Sequence, residues 1–448
     1  MKKLLVLIGV IMVAISSCKK AEYIAKFDEK PQQRAGEQIK LVKDILIGAK
    51  DGWIATMTTD LGGGYGFYMQ FDSLENVVSV ADLNSTSQHE PLSSMYRIKQ
   101  DMGTDLVFDT YTYLSMLNDP NPDVFGGKIR DGFKSDIEFV YDHSTDDSIV
   151  FIGVRYRNYL NMVKATAAQK TVYLNGGFKD DVDKFKKFFT DNKNAYFNLK
   201  IDGEDVKVET VVNSANSLDV GKQVSLAALF PDGNVLSQSA KFAYTLGNIN
   251  LLDSALTFND ITFTHFAWAE GNKLTLYDNA NKSYVIQNSD VPIIPLYKLW
   301  GSKYNEMLSP YKQIFPGTSQ SGADILNFFH QNMENGYTGY KFNSAYLKFV
   351  WNVVNKRLVL NGFSSQNGGG SGWITSCSYD YTVDEQGVYT FTQHDTFSGG
   401  YVQKAMVKIN DFMLNNKIKF AYYADGETVY VQMISVDDPT ITMTFQLS

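Results

Sequence analysis

The chain has 448 residues, 41 Lys+Arg against 49 Asp+Glu for a formal charge of −8, and an aromatic complement of 27 Tyr and 29 Phe. Scattered, mildly acidic charge leaves no basic stripe to neutralise phosphates, which excludes nucleic acid as a partner, and no protein surface that adheres to anionic lipid. The length is enough for two or three domains with proper cores, and the aromatics, enriched in strands, favour a β-rich fold.

The first residues carry an address. Met1-Lys2-Lys3 precedes an apolar run from Leu4 to Ile15, and Ile15-Ser16-Ser17-Cys18 follows. A cationic start and a run too short to span a bilayer define a signal peptide over residues 1–17. Cys18, after two small residues and an aliphatic one, resembles the cysteine of a bacterial lipobox. There the thiol receives a diacylglycerol, the leader is cut before it and the new amine is acylated. Cys18 is therefore the expected lipid attachment, and the membrane is expected to be held through lipid. No later segment offers the roughly 18 uninterrupted apolar residues a spanning helix needs. Cys377 is then the other cysteine, expected as a small apolar core residue on a strand, so burial and not disulfides must stabilise the body.

Residues 18–30 read as anchor and tether. Pro31 opens a helical pattern in which Ile39, Val42, Ile45 and Leu46 share a face, ended by Gly48 and Gly52. From Trp53 to about Asn161 the period changes to two: Tyr65, Phe67, Met69 and Phe71 alternate with small or polar residues, and Ile149 to Val154 is a denser strand. A second helix is expected over Asp180–Asp191, with Val182, Phe185, Phe188 and Phe189 as its stripe and acidic residues at its N-terminus. Asp202-Gly203 and Asp232-Gly233 mark turns between further strands. Pro292 and Pro295 break an apolar segment that runs to Trp300 and connects two units. A third helix is expected over Ser321–Asn335 with Ser321 as its cap, and the remainder is read as strands, ending with Ile441, Met443, Phe445 and Leu447 in alternation. The resulting fold class is α+β and β-rich: antiparallel sheets with a few packing helices. The expected domains are 31–170, 171–300 and 301–448, each a helix plus a β-sheet. Gly52-Trp53-Ile54 and Gly372-Trp373-Ile374 hint at duplication.

The N-terminal third carries a resemblance. Phe27-Asp28-Glu29-Lys30-Pro31, Arg34, Gly52-Trp53, Gly63-Gly64-Tyr65 and Phe71-Asp72 come first. Tyr96-Arg97-Ile98, Leu106 to Tyr111, Asp119-Pro120 and Asp136-Ile137-Glu138-Phe139 then follow in order. In that order they resemble a large family of Bacteroidetes-type lipoproteins known only as a domain of unknown function. The family is similar in genomic company to accessory lipoproteins of SusC/SusD-type outer-membrane uptake systems. The resemblance implies a cell-envelope lipoprotein, in the outer membrane, whose partners are uptake proteins or a glycan or peptide ligand. It carries over no catalytic residue. Surface-displayed members tend to have acidic residues after the lipid cysteine. This chain has Lys19-Lys20 there, so the resemblance leaves open which face of the membrane it occupies.

Few residues suggest chemistry. His89, His143, His265, His330 and His394 show no metal-ligand spacing, and no metal or cofactor is expected. Asp119-Pro-Asn-Pro-Asp123 begins like a calcium loop but has Arg130 where a chelating glutamate belongs, and reads as a stiffened turn. Nucleophile-elbow, phosphate-loop and dinucleotide fingerprints are absent. Cys377 and His394 could meet across a hairpin. Asp136 and Glu138, two apart on a strand, would lie about 6.6 Å apart. That overlaps the roughly 6.5–9.5 Å separation of inverting glycosidases; a wet strand face is the plainer account. Trp268, Trp300, Trp351 and Trp373 are candidates to stack on sugar rings, against core packing as the default. The preferred function is a non-enzymatic, lipid-anchored envelope protein that binds a ligand or partner in nutrient acquisition. The alternatives are a glycan-active hydrolase and a structural or adhesin module.

Overall fold

The computed structural model describes residues 31–448 apart from residues 102, 253–255, 337–341 and 398–399. The expected signal peptide, lipid attachment at Cys18 and tether lie outside them. No helix among the described residues is long and apolar enough to cross a membrane.

Antiparallel sheets dominate, and they close on themselves, which the alternation of side chains did not reveal. The first unit runs α1 (Pro31–Gly48), β1 (Trp53–Thr58), β2 (Gly64–Phe71), β3 (Asn76–Ala81), α2 (Ser85–His89), β4 (Leu92–Gln100) and β5 (Thr104–Phe108). It continues through α3 (Tyr113–Asn118), α4 (Pro122–Phe125), β6 (Glu138–Ser144), β7 (Ser148–Gly153) and β8 (Tyr159–Lys164). Each strand pairs with the next, and β8 returns to β1 with Asn161 opposite Thr56, closing a barrel. Eight strands enclose just the space side chains fill. Trp53, Tyr65, Phe67, Phe139 and Phe151 fill it, all essentially buried. α1 crosses one end, where Trp53 Nε1 donates to the Leu46 carbonyl at 3.0 Å and Lys43 meets Glu75 of the β2–β3 turn at 2.9 Å. α3 covers the other end, with the Phe133 amide donating to the Leu117 carbonyl at 2.7 Å. The interior is a core, not a channel.

The second unit begins with α5 (Ala167–Leu174) and α6 (Gly177–Asp191). α5 was not expected; Thr166 and Gln169 cap it reciprocally. α6 starts three residues before the expected Asp180, and Asp181 accepts the Gly247 amide at 2.6 Å. Then come β9 (Ala195–Ile201), β10 (Glu204–Asn213), β11 (Gln223–Leu229), β12 (Val235–Thr245), β13 (Asn248–Leu251) and β14 (Leu256–Phe258). β15 (Ile261–Ala269), β16 (Lys273–Asp278), β17 (Ser283–Val285) and β18 (Gln287–Asn288) complete the sheet. Asp202 and Gly203, both at positive φ, make the tight β9–β10 turn. β17 pairs with β16 and β18 pairs with β9, and only Ile286 separates them. One kinked stretch therefore joins both edges, and this sheet also curls back to its first strand.

The third unit is β19 (Glu306–Pro310), α7 (Gln320–Gly336), β20 (Ser344–Asn352), β21 (Arg357–Ser365), β22 (Trp373–Val383) and β23 (Val388–Gln393). α8 (Gly400–Asn415), β24 (Ile418–Asp425), β25 (Thr428–Ser435) and β26 (Thr442–Leu447) follow. β26 closes onto β19 through Met307 opposite Leu447. α7 begins one residue before the expected Ser321, and Ser319 Oγ accepts the Gly322 amide at 3.1 Å. α8 replaces an expected stretch of strand: Ala405, Met406, Ile409, Phe412 and Met413 recur at helical spacing and are buried. At the opposite end of this barrel Trp300 stacks on Trp351 at 4.7 Å.

The repetition is larger than two Gly-Trp-Ile segments. Trp53 opens the first strand of its barrel, whereas Trp373 opens the fourth of its own, so those two are not equivalent positions. What recurs is the closed up-and-down barrel itself.

Candidate functional site

The first two units meet where β2 lies across β12. Along its outer face β2 carries Gly64 and Gly66, and a Cβ on Gly66 would lie 2.0 Å from the Tyr244 carbonyl oxygen. The glycines are what let the two backbones touch. Beside that contact Lys222, just before β11, reaches Asp82, just after β3, at 2.5 Å, with side chains 2% and 0% exposed. The Tyr244 amide donates to the same carboxylate oxygen at 2.8 Å. The ammonium also sits 5.0 Å from the Tyr65 ring, 5.5 Å from Phe242 and 5.3 Å from Tyr244. Burial pushes Asp82 up and Lys222 down, each opposed by the other's charge. This is an internal fastening, closed to any ligand.

Next to it the surfaces diverge into a groove of about 660 Å³. One wall is the outer face of β1 and β8, with Ile54, Thr56 and Thr58 beside Tyr159, Asn161 and Val163. Thr245, Asn248, Asn250, Thr264 and His265, from the end of β12 and from β13 and β15, make the other wall. Ladder register places Thr56 opposite Asn161 and Asn250 opposite His265. Asn250 Nδ2 donates to Thr245 Oγ1 at 2.7 Å, and His265 Nδ1 lies 2.9 Å from Thr264 Oγ1. The His265 ring stacks on Tyr277 at 5.0 Å, and burial lowers its pKa, so the imidazole is neutral at pH 7. Tyr159 is 53% exposed. Among the described residues the lining has no Asp, Glu, Lys or Arg. Such a site can donate and accept hydrogen bonds but offers no paired acids and no activated nucleophile.

The residues singled out from sequence lie elsewhere. Asp136 precedes β6 and is buried; its carboxylate accepts the Arg155 amide at 2.7 Å and the Tyr156 amide at 3.1 Å, clamping the β7–β8 turn. Burial pushes its pKa up. Glu138, at the start of β6, instead meets Lys99 at 2.5 Å. Asp101, Asp105 and Glu138 do gather within 4.8 Å, but the Lys99 ammonium lies among them, 3.3 Å from Asp101. The structure thus gives Asp136 and Glu138 separate partners.

The tryptophans also divide. Trp268 lies beneath Lys184 at 3.9 Å and against Phe185 at 5.4 Å. Trp300 and Trp351 are buried in the third barrel, and Trp373, 73% exposed, stands at that barrel's rim beside the Gly368–Gly372 loop. None of these four lines the groove. Cys377 is buried and burial pushes its thiol up to about 12, while His394 pairs with Asp380 at 2.8 Å. His330 is buried with its pKa pushed down to about 4. Asn121 caps α4, so Asp119–Asp123 is a turn and helix start.

Thr56, Asn161, Asn248, Asn250 and His265 escaped sequence reasoning because polar residues at alternate strand positions look like an ordinary wet face. One signal was available. Asparagine is disfavoured in strands, yet it occupies the interior of β8 and two of the four positions of β13.

These features define a chain of serial antiparallel units, two closed barrels with a curled sheet between them in sequence, and with an uncharged groove between the first barrel and that sheet. It belongs to the family described as domain of unknown function DUF4302, whose model matches residues 25–270. The match ends just past β15, so it takes in both walls of the groove and leaves the third barrel outside. No curated protein matches the chain.

Proposed function

We propose that this is a lipid-anchored envelope lipoprotein of the Bacteroidetes type that captures a nutrient-derived ligand in the groove between its first two units, as an accessory to outer-membrane uptake. Cys18 holds it to the membrane and the first two units present the groove. The observation that carries the binding role is the lining itself, open, uncharged and mixed polar and apolar, without a paired acid or nucleophile among the described residues. The hydrolase alternative draws no support from Asp136, whose carboxylate is occupied by two backbone amides.

Two measurements test the proposal. Mature protein should carry acyl mass on Cys18 and partition into detergent, and Cys18→Ser should release it to the aqueous phase. A ligand that raises the melting temperature of the wild type should fail to do so in Thr56→Trp, which fills the groove. An unacylated wild type, or ligand binding indifferent to Thr56→Trp, contradicts it.

A further inference from the structure

We infer that the ligand of this groove is an uncharged, polyhydroxylated chain, a neutral oligosaccharide; the inference rests on the binding role proposed above and names its ligand class. Three observations converge. The first is charge. With no ionised side chain among the described lining residues, and with His265 held neutral by burial, a carboxylate or ammonium entering the groove would lose hydration and find no counter-charge. That disfavours uronic acids, phosphorylated sugars and peptides with free termini.

The second is the backbone. β1 is paired on both sides, with β2 and β8, and β8 with β7 and β1. On the other wall β13 is paired with β12 and β15, and β15 with β13 and β16. Strands β1, β8, β13 and β15 are therefore paired on both sides, interrupted only at the Thr264 bulge among these described strands. An extended peptide recognised by strand addition needs a row of free N–H and C=O groups, and neither wall has one.

The third is what remains. Recognition must come from side chains, and the polar ones are the amides of Asn161, Asn248 and Asn250, the hydroxyl of Thr56 and the imidazole of His265, set among the aliphatic Ile54, Val163, Leu251 and Leu252 that can pack against C–H faces. An amide donates through nitrogen and accepts through oxygen, so it can bridge two adjacent hydroxyls that each do both. Tyr159, half exposed on the same wall, offers a ring face for the C–H side of a pyranose.

The test is a titration of the mature full-length protein with four probes: maltotriose, xylotriose, tri-galacturonate and an N-acetylated, C-amidated tetra-alanine. Binding is read by saturation-transfer NMR and calorimetry. The neutral trisaccharides should bind, and Asn161→Ala and Asn250→Ala should each weaken them about fivefold or more, the loss of roughly one hydrogen bond. Asn161→Ala should keep the wild-type melting temperature, and Asn250→Ala, which also loses its bond to Thr245, should melt slightly lower while remaining folded. Tri-galacturonate should bind at least about tenfold more weakly, since its charges go uncompensated. If the peptide or the galacturonate binds as tightly and Thr56→Trp abolishes it, the groove is a binding site but the ligand class is wrong. If no probe of any class responds to Thr56→Trp, the binding role falls with it.

Discussion

His330 is a residue whose cost can be measured. It is buried against Tyr311 and Phe329, its Nδ1 has no hydrogen-bond partner among the described residues, and its pKa is pushed down to about 4. In the unfolded chain an imidazole titrates near its ordinary value, about 6.5. Between those values the unfolded state binds the extra proton, so stability is complete above that ordinary value and falls with acidification toward 4, by at most about 1.4 kcal/mol per pH unit. His330→Phe should reduce the loss of stability between urea titrations at pH 6.5 and 4.5, leaving the part that His265, also lowered by burial, supplies; an unchanged slope would show that His330 contributes none of it. Cys377 makes a companion case. Its thiol is buried and pushed up to about 12. In a Cys18→Ser variant, Ellman's reagent should leave Cys377 unmodified in native protein and react stoichiometrically in denaturant. Rapid native labelling would contradict that burial.

At the scale of elements, the contact between β2 and β12 carries the argument. Lys222→Met leaves Asp82 buried and uncompensated, and should cost about 3–5 kcal/mol in urea unfolding. Combining it with Asp82→Leu should recover part of that loss, because the apolar pair needs no solvation while the Tyr244 amide loses its acceptor. A double variant as unstable as the single one would mean that the pair does more than neutralise itself. Gly66→Ala should cost about 1–3 kcal/mol, since its new methyl has no room before the Tyr244 carbonyl. These elements also show what sequence could reveal. Tyr65, Phe67, Met69 and Phe71 announced the inner face of β2. The glycines between them looked like spacers because the strand they accommodate lies nearly two hundred residues away. α8 was missed for a local reason: Ser398-Gly399-Gly400 at its start is a composition that reads as loop, although its apolar spacing is helical.

Over the whole molecule, many strands and the three helices Pro31–Gly48, Gly177–Asp191 and Gln320–Gly336 were legible, because each is written in neighbouring residues. Closure of the sheets was not, because it depends on β8 meeting β1 and on β26 meeting β19. The groove was illegible for the same reason, its walls coming from segments far apart in the chain. The match over residues 25–270 and the completion of the second sheet by β18 suggest where to cut. A fragment of residues 31–290 should fold alone, with a cooperative transition and undiminished ligand binding. Loss of structure would mean that the third barrel is part of the same folding unit. The five tryptophans offer a way to watch each part separately. Trp53 reports from inside the first barrel, Trp268 from beneath an ammonium on the second unit, and Trp373 from solvent. Trp300 and Trp351, stacked 4.7 Å apart, should give a split near-ultraviolet circular dichroism couplet that vanishes when the third barrel opens. The chain thus carries its own optical labels, one spectral signature to a unit.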